Sequence, residues 1–105
     1  IVNAYETLLR SFEEDPAVRA VIVNFTLTAQ PLKNYAGAVA EAMERVKPQK
    51  RYVACIRATG AAVYSMSLEE GKAGLAANGA EIIDSLYGAI KRVVELAAET
   101  EVRED

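Results

Sequence analysis

Histidine is absent from this sequence, and no other omission removes as much chemistry. Without an imidazole the chain cannot build a Ser-His-Asp triad, a Cys-His pair or a histidine zinc site from its own residues. Cys55 is the only cysteine, so no internal disulfide forms. Its strand-like surroundings read as those of a buried, inert thiol rather than a nucleophile. No apolar run approaches the roughly 20 residues of a membrane span, and no signal-peptide pattern leads the chain. An excess of positive charge is lacking as well. A net charge of −3 and a pI near 5.0 give no reason to expect nucleic acid or an anionic membrane as a partner. Internal repeats and low-complexity segments are also missing.

What remains is the composition of one globular domain. Its 105 residues are 51% hydrophobic and 26% charged, enough for one core and too few for a second. The chain opens on Ile-Val rather than Met, as a processed, trimmed or longer protein would. Tyr5, Leu8, Leu9 and Phe12 recur on one helical face, and "EEDP" ends that helix because Pro16 disfavours helix at Asp15. A strand is expected from Ala20 to Phe25. Pro31 suits the first turn of a helix whose stripe is Leu32, Tyr35, Ala36, Val39, Met43 and Val46, ending near Pro48. "RYVACIR" reads as a second strand. Ser67 to Glu70 has the form of a capping box for a third helix, rich in Ala and Gly and therefore closely packed, which ends at Asn78-Gly79. "AEIIDS" reads as a third strand. Ser85 or Asp84 then caps a last helix with the stripe Leu86, Ile90, Val93, Val94 and Ala97. Residues 100–105 form a charged tail expected to fray.

Strands alternating with helices run parallel, and right-handed crossovers set three of them side by side in sequence order. None of the strands alternates polar with apolar, as expected where both faces of a sheet are covered. The fold class that follows is three-layer α/β with a parallel sheet. Val21, Ile22 and Val23 look too apolar for a free edge, so more of the same protein or another chain is expected beside them.

In such a sheet, ligands sit beyond the carboxyl ends of the strands. Three loops lie there: "NFTLTAQP", "RATGAA" and "DSLYG". The first pairs small polar side chains (Asn24, Thr26, Thr28, Gln30) with a helix N-terminus near Leu32, a place for an anion. Arg57 ends the neighbouring strand and suits a carboxylate or phosphate, while Gly60 lets backbone approach closely. The plainer reading has the loop capping its own helix and Arg57 pairing with Glu81 or Asp84. Tyr5, Tyr35 and Tyr87 are assigned to the core. "TLTAQ" is similar to the hydroxyl-rich phosphate loop of flavodoxins, without its usual glycine.

Three stretches, "EEDPAVRAVIVNF", "YVACIRATGA" and "EEGKAGLAANGAEIIDSLYGAIKRVVELA", together resemble the C-terminal flavodoxin-like region of succinyl-CoA synthetase β-subunits and related acyl-CoA ligases. The resemblance implies the last three strands of a five-stranded, flavodoxin-like sheet, with a preceding segment along the open edge. Succinyl-CoA synthetases carry a Gly-Gly pair after the first of these strands, where this chain has Thr26-Leu27-Thr28. The Asn-Phe-Thr order is instead similar to the citrate domain of ATP citrate lyases, which follow their next strand with Val-Arg-Arg-Gly-Gly. Arg57 matches the first of those arginines, and Ala58 stands in place of the second.

By that resemblance Asn24, Phe25, Thr26 and Arg57 contact a small organic acid, citrate- or succinate-like, with Gly60 beside them. The chain is then expected to be the C-terminal portion of a cytoplasmic, oligomeric, ATP-dependent acid–CoA ligase. It supplies acid or phosphate binding and contact with the rest of the ligase or an α-type subunit. ATP, Mg and CoA are implied for the complete enzyme and none of them for this chain alone. The other expectation is a non-catalytic interaction module that keeps the fold and uses its open edge.

Overall fold

A computed structural model describes residues 1–27, 35–58 and 66–103. Helix α1 (Val2–Glu14) leads into strand β1 (Ala20–Leu27), followed by α2 (Tyr35–Val46), β2 (Arg51–Ala58), α3 (Met66–Ala77), β3 (Glu81–Ile82) and α4 (Leu86–Arg103). The sheet order is β1-β2-β3 and both pairings are parallel. The fold is therefore the expected α/β class, a parallel sheet between two helical layers in a flavodoxin-like arrangement. Among the described residues, no helix is long and apolar enough to cross a membrane.

The period-two alternation of β1 and β2 sorts the core into two parts. Val21, Val23, Tyr52, Ala54 and Ile56 face α1, α2 and α3, whose Leu9, Val39, Met43 and Leu75 complete that cluster. On the other face Val53 and Cys55 meet Ala89 and Leu96 of α4, with Ile22, Leu86 and Val93 packed around them. Cys55 is buried as expected.

Small residues hold α2 against α3. A methyl group built on Gly71 would lie 2.7 Å from the Ala36 Cβ, and one on Gly74 would lie 3.1 Å from the Ala40 Cβ. The glycines let the two helices approach where larger residues would hold them apart. Helix α3 ends as the Asn-Gly pair predicts: Gly79 takes φ +95°, its N–H donates to the Ala76 carbonyl (3.0 Å), and the Ala80 N–H donates to the Leu75 carbonyl (3.0 Å). These two bonds are the paired closure of a Schellman cap.

A polar knot ties the amino end of the sheet. The Glu13 carboxylate accepts from the Tyr52 hydroxyl (2.9 Å) and from the backbone N–H of Gln49 (2.7 Å). The Lys50 ammonium donates to the carbonyls of Phe12 (2.7 Å) and Val18 (2.6 Å), and also to that of Asp15. The lysine thus satisfies chain-end carbonyls of α1 and of the turn that leads into β1. Burial, with the carboxylate beside it, drives the Tyr52 hydroxyl pKa far above its ordinary value.

Several expectations change. Helix α3 already includes Met66 and Ser67, so Ser67 is not its N-cap. Strand β3 keeps two of the six residues expected of it. Tyr87 is 80% exposed and is no core residue. Within the predicted stripe of α4, Ile90 and Val94 are 49% and 62% exposed, while Ala89 and Leu96 are buried in their stead. Leu8 of α1 is likewise 47% exposed. For Leu8, Ile90 and Val94 the apolar stripe is wider than the sheet beneath it.

Candidate functional site at the carboxyl end of the sheet

Along the α4-facing side of β1 the side chains run Ala20, Ile22, Asn24, Thr26. The first two pack under α4, whereas Asn24 and Thr26 are exposed beyond its cover. The same change occurs along β2, where buried Val53 and Cys55 are followed on that face by half-buried Arg57. Register joins the two strands: Asn24 lies opposite Cys55, and Thr26 lies opposite Arg57. A polar patch of Asn24, Thr26 and Arg57 therefore forms where apolar cover stops.

Its geometry is specific. Arg57 Nη2 donates to Asn24 Oδ1 across the strands at 3.1 Å. Arg57 Nε is closed off from solvent and meets no hydrogen-bond acceptor, the only buried side-chain nitrogen or oxygen in that position among the described residues. A shielded donor left unpaired costs about 1–3 kcal/mol, and more on a charged group. The carboxylates first considered for Arg57 are engaged elsewhere. Glu81 accepts from Arg92 (2.8 Å) and Arg51 (3.2 Å), and Asp84 lies 3.7 Å from Lys72. Hydrogen bonding from Arg92, reinforced by Arg51, lowers the Glu81 pKa below its usual value.

Phe25 points the other way. Its ring stacks on Tyr35 (centroids 6.4 Å apart, 17° between planes) and meets Tyr5 edge-on (6.4 Å, 85°) on the α1–α2 face. The structure thus brings Asn24, Thr26 and Arg57 together and sets Phe25 on the opposite side of the sheet. Strand parity, readable in the sequence, separates them: successive side chains of a strand point to opposite faces of the sheet. The aromatic trio Tyr5, Phe25 and Tyr35 went unnoticed in the sequence because its members come from three elements. Gly60, Thr28, Gln30, Pro31 and Leu32 lie outside the described residues.

Helix α4 also begins at this end. Ser85 Oγ accepts from the Gly88 N–H at 3.0 Å, so Ser85, rather than Asp84, caps the helix. The "DSLYG" turn thereby spends its serine hydroxyl on local structure. Among the described residues the patch holds one cation, an amide and a hydroxyl, groups suited to binding an anion. No family model, curated protein or solved structure matches the chain.

Proposed function

We propose that the chain supplies the acid-binding end of an ATP-dependent acid–CoA ligase, in which Arg57, Asn24 and Thr26 hold the carboxylate of a small organic acid. The observation that carries this reading is the shielded, acceptor-less Nε of Arg57 beside the Nη2–Asn24 bond. A guanidinium already oriented by one neutral acceptor, and lacking a carboxylate partner among the described residues, is prepared for an anionic acceptor. Asn24 and Thr26 add neutral hydrogen bonds suited to the second carboxylate or hydroxyl of a citrate- or succinate-like acid. The ligase assignment rests on the resemblance of the three quoted stretches. In that setting ATP, Mg and CoA belong to the rest of a cytoplasmic, oligomeric enzyme, and this region contributes binding and subunit contact.

Amide and side-chain NMR during titration with citrate, succinate and malate tests the binding. Expected are saturable shifts at Asn24, Thr26 and Arg57 Nε–H for at least one acid. If all three resonances stay fixed at millimolar acid while the fold is intact, the patch is structural and the reading fails.

A further inference from the structure

We infer that Asn78–Gly79 is a self-modification site: the cap that ends α3 holds it closed to reaction, and opening of that cap lets Asn78 deamidate to aspartate and isoaspartate.

The chemistry needs only the chain and water. The Gly79 main-chain nitrogen gives up its proton and attacks the side-chain carbonyl carbon of Asn78, closing a succinimide ring. The bond from that carbon to Nδ2 breaks, and the nitrogen leaves with the proton as ammonia. Water then opens the ring. Opening at the side-chain carbonyl gives an ordinary aspartate, whereas opening at the main-chain carbonyl routes the chain through Cβ and Cγ as isoaspartate. Of the asparagines Asn3, Asn24, Asn34 and Asn78, only Asn78 precedes a glycine. Without a Cβ beside it, the glycine nitrogen has the least hindered approach.

The fold blocks this attack at both of its partners. The Gly79 N–H donates to the Ala76 carbonyl at 3.0 Å, which engages the nucleophile. The Asn78 side chain is turned the other way, because its Nδ2 donates to the Gly74 carbonyl at 2.9 Å, one turn back along α3. The N–H groups of Asn78 (3.1 Å) and Ala80 (3.0 Å) both donate to the Leu75 carbonyl. Leu75 and Ala80 are buried, so the cap is anchored on either side of the reactive pair. Reaction therefore requires these bonds to break together, as a local opening at the end of α3.

Both products resist reclosure. Each replaces the Nδ2 donor with a carboxylate, which leaves the Gly74 carbonyl without its side-chain partner. The new negative charge also lies at the negative end of the α3 dipole. Isoaspartate does more, since it lengthens the main chain by a carbon just ahead of β3. Only Gly79 and Ala80 separate Asn78 from that strand, whose Glu81 lies opposite Val53 and is held by Arg51 and Arg92. The longer chain cannot keep both the cap and that register. A molecule that has opened here is thus marked permanently. This inference is independent of acid binding, because it concerns the end of the sheet opposite Arg57.

The test incubates the full chain at mildly alkaline pH, folded and in urea, and then digests it with trypsin. The fragment Ala73–Lys91, in which Asn78 is the only side-chain amide, is followed by mass and by isoaspartate methyltransferase labelling. Conversion is expected in both states, about tenfold or more slower in the folded chain, and it should track hydrogen exchange of the Gly79 and Ala80 amides as urea is raised. Asn78→Asp reproduces one product and should exchange those amides about tenfold faster than the parent while its circular dichroism spectrum stays unchanged. Equal conversion rates in the folded and unfolded chain would overturn the inference, as would no conversion in either. Asn78→Asp with its Gly79 and Ala80 amides as protected as the parent's would also overturn it.

Discussion

Replacing Gly71 by Ala probes the seam that sets α2 and α3, and with them the carboxyl end of the sheet. The new methyl would stand 2.7 Å from the Ala36 Cβ, whereas carbon atoms rest at about 3.5–4.0 Å. Neither alanine has a rotamer to adjust, so the helices must part by close to 1 Å. Overpacking of this kind costs about 1–3 kcal/mol. Gly→Ala within a helix returns about 1 kcal/mol, leaving a net loss of up to about 2 kcal/mol. Gly74→Ala meets the Ala40 Cβ at 3.1 Å; a shift of a few tenths of an ångström relieves it, and the helix-propensity gain brings the net change to within about 0.5 kcal/mol of zero. Urea unfolding of both variants at matched m-values measures the difference. In the double variant with Ala36→Gly the steric part of the Gly71→Ala loss should disappear, appearing as a coupling energy between neighbours. A Gly71→Ala protein more stable than the parent, or more stable than Gly74→Ala, would refute the account of the seam.

Two further variants address the polar ties. Tyr52→Phe removes a hydroxyl that donates to the Glu13 carboxylate from a side chain only 2% exposed, and denaturant unfolding should show a loss of about 1.5–3 kcal/mol, the range for a bond to a charged group. Glu81→Gln should cost about 0.5–1 kcal/mol at neutral pH, a partly exposed ion pair being modest. Because the folded-state pKa of Glu81 is depressed, its contribution is present above the unfolded-state value and fades as pH falls through the folded one. Parent and Glu81→Gln stabilities should therefore converge below about pH 4. A constant gap from pH 7 to pH 3 would assign the effect to something other than the Arg51–Glu81–Arg92 cluster.

Much of the fold was legible because strong local signals agreed with one another. The "EEDP" stop, the Asn78-Gly79 cap and two apolar runs were enough to order three parallel strands. Helix faces were less legible, since a stripe shows which side of a helix is apolar and nothing of how far the sheet beneath it extends. Ile90, Val94 and Leu8 read as core residues and lie partly bare because no described strand reaches under them. Tyr87 reads as a core residue because it falls near the apolar stripe of α4, yet it is 80% exposed. At the site, residue types were easily read and orientation was harder. Asn24 and Thr26 face Arg57, while Phe25, between them in sequence, packs on Tyr35 across the sheet. The unpaired Arg57 Nε had no signal in the sequence, because it depends on where Glu81 and Asp84 find their partners in three dimensions.

Acid binding through Arg57 is the central claim, and calorimetric titration of the parent, Arg57→Ala, Asn24→Ala and the double variant with citrate and succinate tests it most directly. The account predicts measurable binding by the parent and a loss of about 1.5–3 kcal/mol in Arg57→Ala, the range for charge-assisted hydrogen bonds. It also predicts a smaller loss in Asn24→Ala. The double variant should lose less than the sum, because Asn24 Oδ1 orients the same guanidinium that meets the acid. Equal affinity in the parent and Arg57→Ala for every acid that binds would contradict the claim and leave the Arg57–Asn24 pair as a purely structural clasp between β1 and β2.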